Sequence, residues 1–118
     1  MRAVVITKHG PPEVLQVQER PEPVARDGHL VIDVKAAGIN FADTMARVGL
    51  YPDAPKPPCV VGYEVAGTRS DTGERVMAGT IFNGYAERVA VAASDALPLP
   101  DGLSFEQGAA LPVNYATA

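Results

Sequence analysis

Glycine and proline punctuate this chain more tightly than anything else in it: eleven of each are spread along 118 residues. Proline fixes φ and has no N–H to give, and glycine gathers where a turn is needed, so a long helix or long central strand has almost nowhere to run. The segments between them are short and often β-branched, which predicts a β-rich domain of many short elements joined by tight turns. At this length, 47% hydrophobic and 20% charged residues suit one domain with a single core.

One stretch carries helix signals at both ends. Ala37 to Tyr51 reads Ala-Gly-Ile-Asn-Phe-Ala-Asp-Thr-Met-Ala-Arg-Val-Gly-Leu-Tyr. Asn40 suits a helix N-cap, Asp43 falls in the first turn against the positive end of the dipole, and Gly49 supplies a left-handed stop. The spacing predicts a short helix over 41–48, with Phe41, Met45 and Val48 on its buried face. Asn40, Asp43, Thr44 and Tyr51 are left near its rims as hydrogen-bonding groups over an apolar floor, the pattern of a site.

The formal net charge is −4, and lysine and arginine are scattered, so no basic footprint for nucleic acid exists. A single cysteine, Cys59, excludes an internal disulfide and a multi-cysteine metal knot and fits a reducing compartment, so a cytoplasmic location is expected. No apolar run approaches the ~20 residues of a membrane span, and Met1-Arg2 leads directly into Ala-Val-Val-Ile rather than a signal peptide.

Along the chain, Ala3 to Thr7 reads as a strand that Gly10-Pro11-Pro12 ends. Leu15, Val17 and Glu19 alternate with Gln16 and Gln18 as a hairpin-like second strand. His29 to Ala37 is the clearest strand, with Leu30, Ile32, Val34 and Ala36 on one face and Asp33 and Lys35 on the other. Four prolines make 51–58 a rigid loop. Cys59 to Thr68 reads as a strand kinked at its glycines and continuing through Glu64. A turn around Asp71-Thr72-Gly73 follows, then strands at Arg75 to Ala78 and Tyr85 to Val91. Ala96 to Gly102 reads as a linker, Ser104 with Gln107 as a capping box, and Leu111 to Ala118 as the start of a helix that stops uncapped, as in part of a longer protein.

These residues together resemble the N-terminal, chaperonin-10-like (GroES-like) catalytic domain of the medium-chain dehydrogenases/reductases. The closer likeness is to the zinc-independent quinone oxidoreductase branch, which includes the vesicle amine transport protein relatives. The resemblance covers nearly the whole chain. It is carried by Gly38-Ile-Asn-Phe-Ala-Asp-Thr-Met-Ala-Arg-Val-Gly-Leu-Tyr-Pro52, Val61-Gly-Tyr-Glu-Val-Ala-Gly67, Glu74-Arg-Val-Met77, Gly84-Tyr-Ala-Glu87 and Leu111-Pro-Val-Asn-Tyr-Ala-Thr117.

The resemblance implies a mainly β fold, a partly open β-barrel with short helices over 1–99. Residues 100–118 would be the linker and the start of the interdomain helix. The C-terminal Rossmann domain lies outside this sequence, which holds no Gly-x-Gly-x-x-Gly. Zinc-dependent relatives place a Cys ligand at Asn40 and a His ligand at Tyr63, so no zinc and no other metal is expected here. The turn over 69–73 is shorter than is usual in the family.

By the same resemblance, the parent protein is an NADPH-dependent, zinc-free oxidoreductase that transfers hydride to quinones or α,β-unsaturated carbonyls. Asn40, Asp43 and Tyr51 would be catalytic, with the proton coming from Tyr51 or from water. Asn40, Phe41, Thr44, Asn114 and Thr117 would contact NADPH, which the missing domain mainly binds. The isolated chain would be inactive, and a homodimer would belong to the full-length protein alone.

Plainer roles stand beside these. Asn40 and Asp43 serve a helix start, and Tyr51 and Tyr63 are half-buried packing rings. Glu64 is a buried carboxyl that needs a structural partner, Cys59 is an inert buried thiol, and His9 and His29 lie at the surface. The rival function is a noncatalytic GroES-like binding or adaptor module.

Overall fold

The computed structural model describes residues 1–111. Among them the elements are β1 (Arg2–Ile6), β2 (Leu15–Glu19), β3 (His29–Ala37), α1 (Phe41–Val48), β4 (Glu64–Arg69), β5 (Arg75–Gly79), β6 (Arg88–Ala92), β7 (Ala96–Pro98) and α2 (Phe105–Ala109). All ladders are antiparallel. β1 and β2 form a hairpin, and the others form a curled half-barrel sheet in the order β6-β3-β4-β5-β7. The architecture is the mainly β, partly open barrel expected.

β3 is the strand the sheet is built on. Its alternation buries Leu30 and Ile32 and leaves Lys35 exposed, the period a pleated strand imposes. Those two side chains join Val65, Val76, Ala78, Val89 and Val91 in the core inside the curl. Ala66 points to the opposite face, where α2 covers it: a Cβ on Gly108 would come within 3.3 Å of the Ala66 Cβ. β4 is therefore buried on both faces. The capping box of α2 is complete, with Gln107 N–H donating to Ser104 Oγ at 3.1 Å and Ser104 N–H to Gln107 Oε1 at 2.9 Å. The short β4–β5 turn pairs cleanly, Arg69 N–H meeting the Glu74 carbonyl at 2.9 Å.

A second core lies between the hairpin, α1 and the 59–61 segment, where Ile6, Val14, Ala46, Cys59 and Val61 pack together. Gly62, at φ +117, turns the chain between this segment and β4, the kink foreseen in the sequence.

Three expectations need correction. The buried face of α1 runs through Asp43 and Ala46, while Phe41 is 77% and Val48 38% exposed. The reason is that inward hydrogen bonds hold Asp43 and set the roll of the helix, overriding the apolar stripe. β2 is the hairpin strand expected, and it lies exposed along its length, Val17 at 67%. β6 begins at Arg88 rather than Tyr85, since Tyr85 and Ala86 turn aside to β1, with Val4 N–H bonded to the Tyr85 carbonyl at 2.9 Å. Part of the supposed linker is a strand: β7 pairs Leu97 with Met77 and Pro98 with Val76 at the sheet edge, where a residue without an N–H is tolerated.

Candidate functional site

The site is assembled where β3 hands over to α1. Asn40 is extended (φ −124°, ψ 156°) and occupies the N-cap, and its backbone N–H donates to Asp43 Oδ2 at 3.0 Å. That bond is half of a capping box and also places a carboxylate at the positive end of the helix. The Asn40 side chain turns the other way and donates Nδ2–H to Glu64 Oε2 at 2.9 Å. Glu64 is wholly buried, so the pairing expected of it is met by an amide rather than a cation.

Asp43 receives a second donor, the Tyr85 hydroxyl, on the same Oδ2. Its other oxygen, Oδ1, has no hydrogen-bond partner, and neither does Glu64 Oε1 or the Tyr63 hydroxyl, all three being buried. Buried polar atoms left unpartnered are rare and call for an explanation.

Beside this network stands an aromatic group. Tyr51 meets Tyr63 edge-on with ring centroids 6.1 Å apart, and Phe82 lies 5.2 Å from Tyr63. Phe82 and Asn83 both have positive φ, 64° and 67°. That conformation is costly for a bulky residue, and here it accompanies a ring packed against Tyr63.

Of the residues singled out in the sequence, Asn40, Asp43 and Glu64 come together in one network. Thr44 and Phe41 stand exposed on the first turn of α1, and Tyr51 belongs to the aromatic group, outside the hydrogen-bonded network. Asn114 and Thr117, with most of the expected terminal helix, lie outside the described residues. His9 and His29 are exposed, and burial pushes the Cys59 thiol up. Sequence reasoning missed Tyr85 and Phe82. Gly84-Tyr-Ala-Glu87 pointed to the first only as a strand, and the Asn83-Gly84 pair marks the turn that carries the second.

Tyr63 and Tyr85, both half-buried, hold their protons more tightly than an ordinary tyrosine. Burial is the largest cause for each; Tyr85 then feels Asp43 and Glu64, and Tyr63 feels Tyr51, Asp43 and Asp53. Because the folded values are raised, this contribution to stability is fully present below the ordinary tyrosine pKa of about 10 and is lost as pH rises beyond it. Melting temperatures followed upward from pH 8 should therefore stay level and then fall on the alkaline side. Tyr85→Phe should show a shallower fall, and an equally steep one would count against the assignment.

Residues 26–101 match the alcohol dehydrogenase GroES-like domain. A curled antiparallel sheet with a capped helix set beside its central strands is what that class of domain looks like, and the chain belongs to this domain family of the medium-chain dehydrogenases/reductases. It is 38% identical to the synaptic vesicle membrane protein VAT-1 homolog of Danio rerio, over 99% of this chain and 26% of the relative. The crystal structure of human synaptic vesicle membrane protein VAT-1 homolog-like protein superposes with a TM-score of 0.94 at 38% identity, over 99% of this chain and 41% of that one. The quinone oxidoreductase of Thermus thermophilus, a structure that includes its NADPH complex, gives 0.88 at 44% identity, over 99% of this chain and 38% of that one. The chain thus spans between about a quarter and two fifths of these relatives.

Proposed function

We propose that this chain is the substrate-side domain of a zinc-free, NADPH-dependent oxidoreductase that reduces quinones or α,β-unsaturated carbonyls. The observation that carries the reading is the Asn40–Glu64 hydrogen bond of 2.9 Å at the start of α1. An amide nitrogen donating to a carboxyl cannot act as a metal ligand, and zinc sites want Cys, His or carboxylate in a near-tetrahedral set. Among the described residues no group of three or more His, Cys, Asp or Glu side chains stands close enough to hold a metal. The donor set does not fit zinc, so the site's polarity is available for an organic ligand.

Relatives crystallised as NADPH complexes, the Thermus thermophilus quinone oxidoreductase among them, support the choice of cofactor. When bound, the nicotinamide would supply the hydride. Asn40, Thr44 and the exposed Phe41 ring would hold its face at the open end of α1, and Asn114 and Thr117 are proposed as further contacts. Asp43 and Tyr51 would orient the acceptor, and the Tyr51–Tyr63–Phe82 group would shield a flat substrate from water. The proton would come from Tyr51 or from solvent. We place the domain over 1–99, with 100–118 leading to a nucleotide-binding partner domain, and the protein in the cytoplasm. No described helix is long and apolar enough to cross a membrane.

The test joins the chain to the nucleotide-binding domain of a quinone oxidoreductase relative and follows loss of NADPH absorbance with a quinone. Turnover is expected from the joined protein and none from the 118-residue chain. Asn40→Ala and Tyr51→Phe should each lower kcat/KM by about tenfold, equivalent to ~1.4 kcal/mol of transition-state stabilisation. Turnover unchanged in both variants would remove these residues from the mechanism. A second reading, a noncatalytic binding module, is favoured by the apolar Ile39 and Ile81, 80% and 86% exposed. A joined protein that binds NADPH yet reduces nothing would support it.

A further inference from the structure

A pocket of about 300 Å³ lies between the start of the chain, the proline-rich segment that follows β2, and the entry to β6. Ala3, Val60, Ala86 and Val89 give it apolar walls, and Arg20 and Asn83 bring the side-chain donors among the residues that line it. None of these residues belongs to the Asn40–Asp43–Glu64 network or to the aromatic group, so the pocket is separate from the site described above.

Arg20 is held in place by its backbone. Its N–H donates to the Met1 carbonyl at 2.7 Å, its own carbonyl accepts from the Met1 ammonium at 2.9 Å, and Pro21 after it restricts it to an extended conformation. Its guanidinium has no hydrogen bond or ion pair among the described residues. The other half-buried arginines each have an acceptor: Arg47 the Gly10 carbonyl, Arg69 the Asp71 carboxylate and Arg75 the Leu103 carbonyl. Arg20, half-buried like them, lines a pocket instead. Its charge reaches inward far enough to oppose the upward push of burial on the Cys59 thiol, which adjoins the pocket wall at Val60.

The neighbouring acids are already matched. Glu19 and Glu22 stand 3.3 and 3.5 Å from the Met1 ammonium, and both Glu22 oxygens also accept from Arg88 Nη1–H at 2.9 Å. The cation left over is Arg20, and a planar guanidinium takes a carboxylate best, through two parallel N–H···O bonds. Phosphate would bring further charge near two acids and set it among alanine and valine, which is costly. The volume, at the low end for small-molecule sites, suits a compact apolar body.

We infer that this pocket binds small monocarboxylates, the carboxylate paired with the Arg20 guanidinium and the Asn83 amide, and the apolar body set against Ala3, Val60, Ala86 and Val89. The site does not depend on the hydride chemistry proposed above.

The test is a titration of the ¹⁵N-labelled 118-residue chain with benzoate and, separately, with benzamide at constant ionic strength, read by amide chemical shifts. Benzamide keeps the ring and the shape and removes the charge. Benzoate should shift the amides of Ala3, Val60, Ala86 and Val89 and bind about tenfold more tightly than benzamide, the ratio a hydrogen bond between charged groups provides. Arg20→Met keeps the apolar stem and should erase that preference, with the rest of the spectrum unchanged because the backbone bonds to Met1 remain. Arg20→Lys, which keeps the charge and loses the fork, should retain part of it. Equal affinity for the two ligands, a benzoate preference that survives Arg20→Met, shifts clustered elsewhere on the chain, inorganic phosphate binding more tightly than benzoate, or no binding at millimolar benzoate would each overturn the proposal.

Discussion

Gly67→Ala should cost this domain about 3 kcal/mol or more, the upper range for forcing volume into a packed interior. A Cβ at that position would stand 2.0 Å from the Asp33 carbonyl oxygen and 2.9 Å from its carbon. Both are backbone atoms of β3, paired across the ladder with β4, where Gly67 sits opposite Val34. No rotamer relieves the contact; only parting the two central strands does, and those strands carry Leu30, Ile32 and Val65 of the main core. A domain of this size has a total stability of only about 5–15 kcal/mol. At a urea slope of about 2 kcal/mol/M the denaturation midpoint should fall by about 1.5 M. Gly102 is the control, because a Cβ there meets nothing within 4 Å, and Gly102→Ala should move the midpoint little. A Gly67→Ala midpoint close to that of the unsubstituted chain would mean that β3 and β4 do not approach as described.

The parts of this fold that could be read from the sequence are those fixed by neighbours along the chain. β3 announces itself by alternation, and α1 by Asn40 and Asp43 at one end and Gly49 at the other, because strand period and helix caps are local. Ser104 and Gln107 marked the start of α2 for the same reason.

What could not be read depends on partners far away in sequence. The roll of α1 follows from Tyr85, 42 positions after Asp43, so no helical wheel of 41–48 alone could show that Phe41 faces outward. β7 is recruited by β5, with β6 between them along the chain, and its own stretch reads only as proline-rich. The aromatic group needs Phe82 in a positive-φ turn, a conformation that propensity assigns to glycine or asparagine before phenylalanine. Glu64 was legible in part. A carboxylate in an apolar run demands a partner, but the partner, Asn40, is 24 residues away.

That pair carries the other large expected effect. Asn40→Ala keeps the backbone bond from residue 40 to Asp43 but strips Glu64 of its side-chain hydrogen bond in a site with no solvent exposure. An unpartnered buried acceptor costs roughly 1–3 kcal/mol, more when charged, so the substitution should cost about 2 kcal/mol. Glu64→Met removes the carboxyl and keeps approximately the same volume, leaving the Asn40 amide near the rim of α1, where water can serve it. The double variant Asn40→Ala/Glu64→Met should then be more stable than Asn40→Ala alone, because no buried acceptor is left waiting. A double-mutant cycle by urea denaturation should give a coupling of about 1.5 kcal/mol, well outside the ~0.5 kcal/mol of independent sites. Strict additivity would show that Glu64 is satisfied by another route and that the bond at the start of α1 does not hold the site together. Coupling of the expected size would mean that the Asn40 amide keeps a buried carboxyl in place at the start of α1.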